Sequence, residues 1–300
     1  MPSDSPNPLL LWFRIVRPQT LFASLCPVAV ALLVAYYRTG ILNPLVAALT
    51  IACALALQIL SNLINDYYDF RRGLDKKGRV GFKRALAEGL VREGQMKRAC
   101  LITLTIAILT GAGLCYVGGW SILLVGLTAI LFAWLYTATD HSLSYLGIAD
   151  IFVFLYYGVI ASTGTMWLQL SATETLPANE VIPSLRTAFC AGAVSGLISM
   201  CVLAINNIRD IDDDREAGKR TFPVRFGKRA AEVSVGLLVL LMPVFAFFAF
   251  STGWSMAVVL PAAYLYYRVL HAQGTEYNTC LLLAGMVNLC YVFLVWQQLA

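Results

Sequence analysis

The chain has 300 residues, of which 59% are hydrophobic and only 13% charged, with a formal net charge of +5. Soluble domains carry roughly 25% charged residues, so this composition cannot cover a water-facing globule and excludes an ordinary soluble fold. Lipid removes the need for a polar surface, which points to a membrane protein.

Met1 to Pro8 is polar and lacks basic residues. Arg14 and Arg17 then precede a long apolar run without a small-residue cleavage site, which reads as a retained first transmembrane helix rather than a cleaved leader. A helix rises about 1.5 Å per residue, so roughly 20 apolar residues cross the hydrocarbon. Nine stretches approach this length: Leu21–Tyr37, Leu45–Asn65, Cys100–Val117, Ser121–Ala138, Ile148–Leu168, Ala188–Ile208, Ala231–Phe250, Trp254–Val269 and Thr279–Trp296. The eighth is short and interrupted by Pro261. A barrel strand would be about 10 residues of alternating pattern. These runs are longer and apolar on every face, so the expected class is an all-α polytopic membrane protein of about nine helices.

Lysine and arginine set the orientation. They crowd into Arg71–Arg98 and Arg209–Arg229, which fall on one side if nine spans alternate, together with Arg14, Arg17 and Arg268. The other side receives Arg38 and Arg186. The N-terminus and both basic loops are therefore expected in the cytoplasm and the C-terminus outside. Topology accounts for the +5 charge, so no nucleic-acid partner is inferred; the basic face suits anionic membrane lipid. The eight cysteines lie in or beside apolar stretches without a C-x-x-C pair, and His141 and His271 lie far from any cysteine pair. They read as small packing residues, with no disulfide framework or zinc site.

The pattern N-x-x-x-D-x-x-D occurs twice, as Asn62, Asp66, Asp69 and as Asn206, Asp210, Asp213. Each copy closes an even-numbered span and runs into a basic, glycine-bearing loop. At about 100° per residue, positions i, i+4 and i+7 share one helix face. Asp214 lies one step round from that face, while Asp75 and Asp212 fall off it. Carboxylates so close to each other and to lipid need neutralising, and an all-oxygen set suits magnesium, which keeps room for phosphate oxygens. Lys76, Arg79, Lys83 and Arg84 in the first loop, and Lys219, Arg220 and Arg225 in the second, add the basic half of a diphosphate clamp. A membrane-embedded site with both features points to a lipid diphosphate. A secondary transporter would also have repeated halves and intramembrane acids, but near the midplane on broken helices.

The two acidic segments, Asn62 to Asp75 and Asn206 to Thr221, resemble the UbiA superfamily of intramembrane prenyltransferases. Details within them are most similar to the branch that prenylates dihydroxynaphthoate: the double asparagine Asn206-Asn207, the pair Arg209-Asp210, and Asp214-Arg-Glu-Ala-Gly-Lys219. Gly78 to Arg84, Arg17-Pro-Gln-Thr-Leu, Tyr145 to Asp150 and Tyr277-Asn278 extend the resemblance over nearly the whole chain. It implies one transmembrane domain over residues 1–300, wrapped around a central cavity, with motif-bearing cytoplasmic loops at about 66–98 and 209–229. It implies a multi-pass protein of the bacterial inner membrane. It also implies Mg2+, a polyprenyl diphosphate donor and 1,4-dihydroxy-2-naphthoate as acceptor, with loss of carbon dioxide.

By the same resemblance, Asn62, Asp66, Asp69, Asp210 and Asp214 hold metal and diphosphate. Asp214 enters because the family spaces its second pair as D-x-x-x-D, whereas the internal repeat selects Asp213. Asn65, Arg79, Arg84, Asn206 and Lys219 are the further substrate-binding candidates. Tyr136 and Tyr145, with Tyr67 and Tyr68, are candidates to face an allylic cation. Other acceptors used within the superfamily, such as 4-hydroxybenzoate, remain the alternative.

Overall fold

The computed structural model describes residues 7–73, 84–135, 148–174 and 176–300. Among them every regular element is a helix. Asn7 caps α1 (Pro8–Val16) by accepting a hydrogen bond from the Leu9 amide at 3.0 Å. Pro8 fills the first position, where a missing N–H costs nothing. Arg17 then turns the chain at φ 56° into α2 (Pro18–Thr39). Asn43 caps α3 (Pro44–Arg71) in the same way, accepting from the Val46 amide at 3.1 Å. Then come α4 (Glu93–Gly118), α5 (Trp120–Leu135), α6 (Ala149–Thr173) and α7 (Ala178–Arg209). The short α8 (Ile211–Glu216) and α9 (Phe222–Phe226) lead to α10 (Lys228–Phe250). The 3-10 turn Trp254–Val258 runs directly into Val259–His271, together α11, and α12 (Glu276–Leu299) closes the chain.

Among the described residues, seven helices are long and apolar enough to cross a membrane: α2, α3, α4, α6, α7, α10 and α12. The protein is an integral, multi-pass membrane protein. The other two expected spans are shorter among the described residues: α5 has 16 residues, and α11 joins a 5-residue 3-10 turn to a 13-residue α-helix. Pro261 does not interrupt that helix. It sits in the first α-helical turn, where proline is tolerated. One element escapes the sequence reading altogether, the separate N-terminal helix α1.

Lipid gives no hydrophobic drive for one helix to leave it for another, so close approach of small residues and van der Waals packing must hold the bundle. The fold puts α7 at the centre: 83% of its most apolar window is buried, against 11% for α4. Small residues make this possible, since Ala188, Ala191, Gly192, Ala193, Ser195 and Gly196 are all buried. α6 crosses at that seam. A Cβ placed on Gly158 would lie 2.6 Å from the Gly196 Cα, and one on Gly196 would lie 2.8 Å from the Phe154 carbonyl oxygen. At the crossing α6 widens into a π-helical stretch, Leu155–Ile160, a distortion common at functional sites. Tyr156 and Tyr157 of that stretch line a cavity of about 660 Å³ enclosed by α2 to α7 and α12.

Candidate active site

Both acidic motifs reach the same end of the bundle, and their carboxylates are buried. Asp66, Asp69, Asp210 and Asp214 are 2%, 2%, 7% and 4% exposed. Buried charge demands a partner, and each carboxylate has a base. Arg17 at the α1–α2 elbow pairs with Asp66. Arg84 places Nη1 2.5 Å from Asp69 Oδ2 and Nε 3.8 Å from Asp66 Oδ1, bridging the two acids of the first motif. Arg209 grips Asp210 through Nε at 2.7 Å and Nη2 at 2.9 Å, while its Nη1 donates to Asn278 Oδ1 at 2.7 Å. Lys219 Nζ lies 3.1 Å from Asp214 Oδ1. Basic side chains thus supply neutralisation that sequence reasoning assigned to a cation alone.

Asn62 fastens the first motif to the elbow. Its Nδ2 donates to the Val16 carbonyl at 3.1 Å and to Thr20 Oγ1 at 2.9 Å. Asn62, Asn65 and Asn206 all line the large cavity. Asn206 also borders a smaller cleft of about 70 Å³, shared with Arg17, Thr20, Arg84 and Arg209, so residues from both motif regions face one space.

Asp213 and Asp214 part company here. α7 ends at Arg209, and the chain restarts as α8 after Asp210, so the second triplet does not lie on one continuous helix face. Asp213 is exposed and Asp214 is turned inward. Tyr67 and Tyr68 do not line the cavity. Tyr67 donates to Glu93 Oε1 at 2.9 Å, and Tyr68 meets Trp134 edge-on at 5.8 Å between ring centroids. The aromatic wall is built instead by Phe132, Phe152, Tyr156 and Tyr157, with Phe132 4.3 Å from Phe152 and 5.3 Å from Tyr156 between centroids. Arg79, Tyr136 and Tyr145 lie outside the described residues.

Sequence reasoning treated Arg17 and Arg209 as topology and family markers, not as site residues. Their local signals were present. Pro18 directly after Arg17 marks a helix start and places the arginine at an elbow. Arg209 adjoins a motif aspartate.

The donor set suits a hard divalent cation. It is all oxygen, it is split between two motifs, and Asp69 Oδ1 is a buried acceptor with no hydrogen-bond partner among the described residues. No three His, Cys, Asp or Glu side chains gather at one point among the described residues. An all-oxygen donor set of this kind fits magnesium, which takes one or two carboxylates and completes its shell with water and phosphate oxygens.

The UbiA prenyltransferase family model matches residues 24–290. The chain belongs to that family, and it is a prenyltransferase enzyme. It is 34% identical over 265 residues to the 1,4-dihydroxy-2-naphthoate octaprenyltransferase of Escherichia coli, covering 85% of this chain and 82% of the relative. It is 28% identical over 297 residues to the enzyme of the same name from Haemophilus influenzae, covering 94% and 92%. Among solved structures, a UbiA homologue from Archaeoglobus fulgidus bound to GPP and Mg2+ superposes with a TM-score of 0.63 at 17% identity, covering 96% of this prenyltransferase and 99% of that chain.

Proposed function

We propose that this prenyltransferase moves a polyprenyl group from an allylic diphosphate to 1,4-dihydroxy-2-naphthoate, with loss of the ring carboxylate as carbon dioxide, giving the prenylated naphthoquinol that is the reduced form of demethylmenaquinone. One observation carries the reading: two pairs of buried carboxylates are matched by bases, and three of those bases, Arg17, Arg84 and Arg209, border a cleft with Asn206, which with Arg17 and Asn62 also lines a cavity of about 660 Å³. The acceptor is named by the relatives from Escherichia coli and Haemophilus influenzae, which match over most of their length.

Asn62, Asp66, Asp69, Asp210 and Asp214 would hold Mg2+ and the diphosphate. When bound, Mg2+ supplies neutralisation of the charge that builds on the diphosphate as it departs. Arg17, Arg84, Arg209 and Lys219 would exchange part of their contact with the carboxylates for diphosphate oxygens, where preorganised cations lower the barrier. The allylic C–O bond breaks and its electron pair leaves with the diphosphate. Phe132, Phe152, Tyr156 and Tyr157 exclude water from the allylic cation and face it with π density. The naphthoate ring carbon that bears the carboxylate forms the new C–C bond. Loss of carbon dioxide returns the electron pair to the ring. Residues 1–300 act as one domain in this reading, with the motif end of the bundle facing the cytoplasm of a bacterial inner membrane and the C-terminus outside.

The test presents purified protein, Mg2+ and a labelled polyprenyl diphosphate with dihydroxynaphthoate and 4-hydroxybenzoate in parallel. Prenylated product from the naphthoate alone supports the assignment. Product from the benzoate alone moves the acceptor to another branch of the family.

A further inference from the structure

The outward face of α1 is the wrong kind of surface for water. The nine residues of α1 rise about 14 Å, under half of the roughly 30 Å hydrocarbon core, so α1 does not span it. At about 100° per residue its side chains divide into two faces. Leu11, Trp12 and Ile15 point inward and pack in a cluster with Leu63, Leu86 and Met96. Leu9, Leu10 and Phe13 point outward, 81%, 47% and 61% exposed, with exposed Arg14 at one edge. A helix lying between protein and water carries polar residues on its outer side. α8, at the same end of the bundle, does so: Asp212, Asp213, Arg215 and Glu216 are its exposed residues. α1 has apolar side chains there instead.

The boundary of the bilayer passes at this level. Trp134, 51% exposed, meets Tyr68 of the first motif edge-on. Tyr267, 56% exposed, lies one turn from the end of α11, and the next helix begins beside the second motif, where Asn278 accepts from Arg209. Half-exposed Trp and Tyr gather at headgroup level in membrane proteins. A short helix at that level, with an apolar outer face and an arginine at its edge, suits the interface: the apolar side chains enter the acyl boundary and the guanidinium reaches lipid phosphate. A stable protein partner engages roughly 20–30 residues a side, far more than Leu9, Leu10 and Phe13 offer.

We infer that Leu9, Leu10 and Phe13 seat α1 in the lipid leaflet on the motif side, and that this seat fixes the elbow at the active site. The link is short. Directly after α1, the Val16 carbonyl accepts from Asn62 Nδ2 at 3.1 Å, and Arg17 pairs with Asp66. Lipid is thus a partner that orients the first acidic motif, and the outer face of α1 is made of positioning residues.

Photocrosslinking tests the seat. Full-length protein in phosphatidylcholine–phosphatidylglycerol vesicles, with benzoylphenylalanine in place of Phe13 or of Asp213, is irradiated and its adducts are read by mass spectrometry. Lipid adducts should be several times more abundant at position 13 than at position 213. Equal yields would put the face in water, and a crosslinked dimer would make it a contact between copies; either result overturns the inference. Steady-state kinetics of the Leu9→Ser, Phe13→Ser double variant test the link. Its KM for polyprenyl diphosphate is expected to rise about fivefold or more, the lower end of coupling between distinct sites, with kcat little changed. Phe13→Leu keeps the apolar face and should stay within about twofold of wild type. A variant that merely folds poorly loses active enzyme, and so apparent kcat, at constant KM; that outcome overturns the link to the site. If the double variant fails to insert, Phe13→Ser alone carries the kinetic test. An enzyme that rejects dihydroxynaphthoate overturns the proposed function and leaves the photoadducts to decide the seat.

Discussion

Arg84 holds Asp69 by one oxygen: its Nη1 lies 2.5 Å from Asp69 Oδ2, while Asp69 Oδ1 is buried and unpaired among the described residues. The free oxygen is the position from which a cation can be gripped without breaking the ion pair. Asp69→Asn removes the charge that both functions use. Breaking a buried pair costs about 3–5 kcal/mol, and losing one stabilising group at a charge-developing site costs about 100- to 1,000-fold in turnover. Assays of prenyl transfer at saturating substrates should show at least the hundredfold loss; near wild-type turnover would remove Asp69 from the site.

Arg17 combines a strained backbone with a buried charge partner, since a non-glycine residue at φ 56° is uncommon. Arg17→Gly relaxes the backbone and deletes the guanidinium. If Arg17 serves only the elbow, this variant keeps full activity. If it serves the diphosphate, the KM for polyprenyl diphosphate rises about tenfold or more, with Arg17→Lys falling between because it lacks the planar fork.

The break between α7 and α8 makes opposite predictions for adjacent residues. Asp214→Ala strips a buried carboxylate from Lys219 and should lower turnover about a hundredfold or more. Asp213→Ala alters an exposed side chain and should leave prenyl transfer within about threefold of wild type. Parallel assays of the two variants in one membrane preparation check the pair.

These residues show where the sequence was legible. Apolar length located every long helix, because crossing hydrocarbon imposes length and continuity on the chain. The Asn and Asp spacing fits the first motif, since Asn62, Asp66 and Asp69 ride one unbroken helix. In the second motif the spacing selects Asp213 only on a continuous helix, and α7 stops at Arg209, so Asp214 rather than Asp213 is turned inward. Two of the bases were harder to see. Arg17 comes from an elbow far from Asp66 in sequence, and Arg209 reads as one of many loop cations, whereas Arg84 and Lys219 were already candidates.

The α6–α7 seam is a matter of stability. A Cβ on Gly158 would meet the Gly196 Cα at 2.6 Å and the Gly192 carbonyl oxygen at 2.9 Å, both backbone atoms that cannot swing aside. Gly158→Ala should therefore destabilise by about 1–3 kcal/mol, the usual cost of overpacking, and lower the detergent-solubilised Tm by several degrees. Gly126→Ala, on a helix with open space at that position, should leave Tm nearly unchanged. Equal effects in thermal-shift measurements would show that the seam is not tight.

Magnesium-dependent prenyl transfer to dihydroxynaphthoate is proposed at the paired aspartates. It is tested most directly by measuring released diphosphate and prenylated naphthoquinol together, with wild-type protein and the Asp66→Ala variant, each with Mg2+ and with excess chelator. Wild-type protein with Mg2+ should release one diphosphate per prenylated product, and neither product should form in the other three reactions. Undiminished transfer after chelation, or from Asp66→Ala, would contradict it.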